Sequence, residues 1–139
     1  ACVAIGPLIG LGPGLTPAGD DFLVGYLAGL WSTANSDTAR LRFMASIGAW
    51  LSEAASQTNV ISQASIQSVV RGNASEPIAR LAEQLDRADT IDSVRAETQA
   101  ALQVGHSSGT DGVTGLLFGC TVWTRPSLPA SHCLEVPSA

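Results

Sequence analysis

The chain has 139 residues, 45% of them apolar and 14% charged, with a formal net charge of −5 and a pI of about 4.7. That length fits one domain with a real hydrophobic core. The low charge, against about a quarter in a typical soluble domain, leaves surface over for an interface, and the acidic balance argues against a nucleic-acid footprint. All seven basic residues are arginines, so lysine Schiff bases, Walker-type phosphate lysines and lysine general bases are excluded. Cys2, Cys120 and Cys133 match no zinc spacing. They imply a reducing, cytoplasmic setting, with Cys120 as a small buried hydrophobe. No basic segment announces a signal peptide, and the longest apolar run, Phe22 to Trp31, is about half of a bilayer span.

In chain order, Val3–Ile5 has the pattern of an optional short strand and leads into a glycine-proline loop. A first helix follows over about Gly19–Thr33. After the polar break at 33–37, Asp37 is an N-cap for a helix to about Ser56, with Leu41, Met44, Ile47 or Gly48, and Leu51 at helical spacing. The next helix spans about Val60–Arg71 and stops at Gly72 as its C′ residue. Ser75-Glu-Pro starts another, with Ile78, Leu81, Ala82 and Leu85 on its apolar face. Two more cover about Thr90–Val104 and Ser108 or Gly109 to Trp123. The expectation is an all-α fold of about six helices in one compact domain over residues 1–125, with a loose tail over 126–139.

An internal echo singles out two of these helices. Gly19–Gly29, GDDFLVGYLAG, aligns without gaps on Gly109–Gly119, GTDGVTGLLFG, both reading G-x-D-x-x-x-G-x-x-x-G. Residues at i, i+4 and i+8 share a helix face, so each helix carries a glycine stripe with an aspartate at its N-terminal end. Glycine in a helix costs about 1 kcal/mol against alanine, and close approach of another backbone is the compensation to expect. The two helices are therefore expected to pack by their stripes, with Asp21 and Asp111 meeting in one pocket. Neighbouring carboxylates there call for a cation, a shared proton or a ligand with donors. Asp20, Asp21 and Asp111 read equally well as first-turn and capping residues, and Ser108-x-x-Asp111 fits a capping box.

The loops ahead of these helices offer free N–H groups to an anion. Gly14, Thr16, Gly19 and Asp20 in the first, with Ser107, Ser108, Gly109 and Thr110 in the second, are the candidate ligand-binding residues. Arg71 is a candidate clamp for a carboxylate or phosphate. Asp21, His106 and Asp111 are the candidate catalytic groups. The cofactor is open. Magnesium is a candidate, and Asp20, Asp21 and Asp111 would then be its ligands.

Three blocks carry a family resemblance: GLGPGLTPAGDDFLVGYLAGL, ISQASIQSVVRGNASEPI and GHSSGTDGVTGLLFG, spread over about Ile9–Gly119. Together they resemble the AllH-type subunit of oxamate carbamoyltransferase. The resemblance implies a role in interconverting carbamoyl phosphate and oxamate with oxalurate and phosphate, beside two larger partner subunits. It maps onto Gly12, Gly14, Thr16, Pro17, Gly19, Asp20 and Asp21 in the first block. In the second it maps onto Ser62, Arg71, Gly72, Ser75, Glu76 and Pro77, and in the third onto Gly105 through Asp111. Members of that family carry a further N-terminal region, so an incomplete active site is also to be expected. The expected partners are a small anion (carbamoyl phosphate, oxamate or phosphate), larger subunits and further copies of the chain, with no nucleic acid and no membrane. Two other readings stand beside this one. The first is a non-catalytic structural or oligomerisation module. The second is a magnesium-dependent hydrolase, because GTDGVTGLLFG is similar to the closing motif of ADP-ribosylglycohydrolases.

Overall fold

The computed structural model describes residues 5–87 and 90–123. Capping chemistry sets most of the helix boundaries. A 3₁₀ turn at Gly6–Leu8 precedes α1, Ala18–Ser32, which begins at Pro17 without a side-chain cap. α2, Thr38–Ala54, is capped by the Asp37 carboxylate, which accepts from the N–H groups of Ala39 (2.8 Å) and Arg40 (2.9 Å). Those bonds hold the Asp37 pKa below the ordinary aspartate value. A 3₁₀ turn at Ala55–Gln57 leads to α3, Val60–Val70, which Asn59 caps in the same way. Gly72, at φ +86°, ends it in the left-handed conformation glycine tolerates. α4 spans Glu76–Arg87, α5 Ile91–Leu102 behind a Thr90 cap, and α6 Ser108–Thr121.

These six helices form the expected all-α fold, and no strand occurs among the described residues. Val3 and Ala4 of the optional strand, and the 126–139 tail, lie outside them. α1 runs through the middle and touches α3, α4 and α6. Leu23, Leu27, Leu30, Ile47, Leu51, Ile66, Leu81 and Leu116 are all but inaccessible and make the core. Most expected apolar faces point inward, but Leu41, one turn into α2, is exposed. Cys120 is half-buried against the core rather than fully inside it.

The glycine stripes do meet. A methyl on Gly25 would run into the backbone of Gly112, and one on Gly115 into that of Phe22. Four residues on, Gly29 abuts the Leu116 backbone and Gly119 the Tyr26 backbone. Each contact becomes its mate when residue numbers shift by the 90 that separates Gly25 from Gly115. α1 and α6 are therefore parallel and related by a local pseudo-twofold axis, with both N-termini at the same end. The cost of helical glycine, about 1 kcal/mol each, is offset by close backbone-to-backbone packing.

The symmetry reaches into the loops, where the sequence echo ends. Gly19 N–H donates to Leu11 O and Gly109 N–H to Val104 O, both at 2.9 Å. The following glycines, Gly12 (φ +109°) and Gly105 (φ +62°), are both left-handed. The first loop is the longer, and its extra length carries Thr16.

Candidate functional site

The longer loop brings Thr16 across to the start of α6. Its hydroxyl lies 2.8 Å from that of Ser108, tying the two helix N-termini together. Ser108 does not form the expected capping box. The N-cap position is Ser107, no side chain caps α6, and the Ser108 hydroxyl lies against Thr16 instead. Beside this link a cavity of about 390 Å³ opens between the starts of α1, α4 and α6, with the last turns of α3 and α5 closing it. Thr16, Asp21, Ser65, Ser68, Asn73, Ser75 and Ser108 supply its polar groups, while Val24, Ile78 and Val104 supply apolar wall.

The adjacent aspartates have different fates. Asp20 is buried and both its oxygens are used: Oδ1 accepts from Gly10 N–H (2.8 Å) and Oδ2 from the Thr58 hydroxyl (2.5 Å). It pins the N-terminal loop to the turn before α3. Asp21 faces the cavity instead, and its Oδ2 is buried with no hydrogen-bond partner among the described residues. Burial raises its pKa above the ordinary aspartate value. The Ser108 and Thr16 hydroxyls pull it back in part, and the Asp111 and Asp20 charges push it up. Asp111 Oδ2 is also buried and unpartnered. The two carboxylates thus sit close enough to act on one another, yet Asp111 is not among the residues lining this cavity.

Of the other expected site residues, Thr16, Ser108 and Gly109 line the cavity. Gly19 is buried against the Leu8 carbonyl and does not line the cavity. Gly14, Arg71, His106, Ser107 and Thr110 are exposed and do not line it. No three His, Cys, Asp or Glu side chains gather to hold a metal ion among the described residues, because Asp20 turns away from the other two aspartates. The sequence reading missed Ser65, Ser68 and Asn73. The spacing Ser62, Ser65, Ser68, a polar stripe at i, i+3 and i+6, was the available signal.

Residues 8–120 match the family model described as oxamate carbamoyltransferase subunit AllH. The chain belongs to the AllH family. The match takes in both glycine repeats and every residue that lines the cavity. No curated protein and no solved structure matches this AllH-family chain. No helix among its described residues is long and apolar enough to cross a membrane.

Proposed function

We propose that this chain acts as a ligand-binding subunit of an oxamate carbamoyltransferase-like system, with the cavity at Asp21 taking the amide-bearing end of a small acid. The observation that carries the reading is the buried Asp21 Oδ2, left without a donor at the edge of a polar cavity. A buried acceptor without a partner costs about 1–3 kcal/mol, and a ligand N–H removes that cost. The cavity lining holds no arginine or histidine, so a fully anionic group would face Asp21 without a counter-charge. An amide or carbamoyl group suits it better: its NH₂ donates to Asp21 while its oxygens accept from Ser, Thr and Asn side chains and the N–H groups of the helix starts. This reconciles the expected anion pocket with its aspartate, because oxamate and oxalurate carry an acid at one end and an amide at the other.

The test is thermal unfolding of the full chain with oxamate, with oxalate and with carbamoyl phosphate. Binding at about 100 times Kd adds about 2.7 kcal/mol, a rise of roughly 10 °C for a domain of this size. Oxamate is expected to raise Tm and oxalate, which lacks the amide, is not. Asp21→Asn should abolish the oxamate shift. Equal shifts with oxalate, or an unchanged shift in Asp21→Asn, would overturn the assignment.

A further inference from the structure

α1 and α6 carry seven glycines between them, and packing accounts for six. A methyl on Gly19, Gly25, Gly29, Gly109, Gly115 or Gly119 would enter a neighbouring backbone carbonyl. Gly112 is the exception. A methyl there would lie 3.4 Å from Ile78 Cδ1 and 3.8 Å from the Asp21 carbonyl oxygen, ordinary contacts with no backbone collision. Gly112 also stands outside the G-x-D-x-x-x-G-x-x-x-G pattern, and the same position of the first repeat holds Phe22, a full aromatic side chain. Glycine weakens a helix interior more than any residue except proline, and at Gly112 no close backbone contact offsets that cost.

What Gly112 adjoins is the cavity. It is buried, one turn beyond Ser108 on the same face of α6, and it lines the cavity together with Ser108, Asp21 and Ile78. We propose that Gly112 is a specificity-determining residue of this cavity, its missing Cβ leaving the room beside Asp21 that the amide end of the ligand occupies. The proposal rests on the Asp21 reading above and adds a limit of size to it. Asp21 selects a ligand that brings a donor, and the bare backbone at Gly112 lets that donor come up to the wall of α6. A methyl at this position would stand between the Ile78 tip and the Asp21 backbone, inside the space the ligand needs. The six other glycines serve the approach of two helices, and this one serves the approach of a ligand.

Calorimetric titration of the full chain with oxamate tests this, with thermal unfolding of each variant beside it. Gly112→Ala is expected to keep or raise Tm and to weaken the oxamate Kd at least about 10-fold, the lower end of what one methylene is worth in a filled pocket. Ile78→Val removes the Cδ1 that the new methyl would approach. Adding it to Gly112→Ala should therefore recover most of the lost affinity, which a purely structural role for Gly112 does not predict. If Gly112→Ala binds oxamate as the wild type does while Asp21→Asn does not, the role of Gly112 is overturned and the Asp21 reading stands. A wild type that fails to bind oxamate overturns both. A fall in Tm for Gly112→Ala as large as that for Gly115→Ala makes Gly112 a seventh packing glycine, and that alone sinks the proposal.

Discussion

The first copy of the glycine repeat, Gly19–Gly29, lies under α3 and the N-terminal loop, and the second, Gly109–Gly119, has its corresponding side open among the described residues. Their backbones are equivalent, down to the left-handed glycine after Leu11 and Val104 and the N–H that each first glycine donates. Their side chains are not. Asp20 in the first copy is buried on two donors, and Thr110, at the same position in the second, is exposed. The glycines fix how the helices approach, and the neighbours each copy meets decide what its polar residues do.

The largest expected effect tests the shared backbone geometry. Gly25→Ala and Gly115→Ala both drive a methyl into a backbone carbonyl that no side-chain rotation can clear. Each should cost on the order of 3–5 kcal/mol, read from the urea midpoint. Gly112→Ala is the control within the same helix. Its methyl would meet the tip of Ile78 at 3.4 Å and the Asp21 carbonyl at 3.8 Å, an ordinary contact distance, and helix propensity favours alanine by about 1 kcal/mol, so its midpoint should hold or rise. Equal losses at Gly112 and Gly115 would mean that the zipper does not have the register described.

The next effect separates the two copies. Asp20→Ala leaves the Thr58 hydroxyl without its acceptor and frees the loop at Gly10, for a loss of about 2–3 kcal/mol. Thr110→Ala should stay within about 0.5 kcal/mol, as exposed substitutions do. Comparable losses from the two would remove the asymmetry between the copies.

The repeat itself was legible because a glycine stripe is costly unless something uses it, and so was the joining of the two N-termini. The helix starts expected at Asp37, Val60, Ser75-Glu-Pro, Thr90 and Ser108 or Gly109 fall within about a residue of where the structure has them. What could not be read was which way neighbouring side chains turn. Asp20 and Asp21 are adjacent and chemically identical, and the 100° between successive helix positions sends one to the Thr58 turn and the other to the cavity. Nor did spacing reveal that Ser65 and Ser68 approach the start of α6, because that depends on how α3 packs across α1. His106 and Arg71, whose chemistry suggested a site, are exposed and do not line the cavity.

The smallest effect concerns Asp21 without ligand, and its sign opposes that of Asp20. The raised pKa means that the folded state holds the Asp21 proton more tightly than the unfolded state does. This group therefore favours the fold at acid pH, and its contribution falls as pH climbs from the unfolded value, near 3.8, through the higher folded one. Above that window the ionised carboxylate is a constant penalty. Asp21→Asn should consequently raise the stability of the ligand-free chain slightly at neutral pH. It should also flatten the pH dependence just above the ordinary aspartate pKa. Denaturant unfolding at pH 4 and pH 7 measures both. A gain in stability that accompanies the loss of the oxamate shift would assign Asp21 to a ligand. A loss of stability like that of Asp20→Ala would make it a second structural staple.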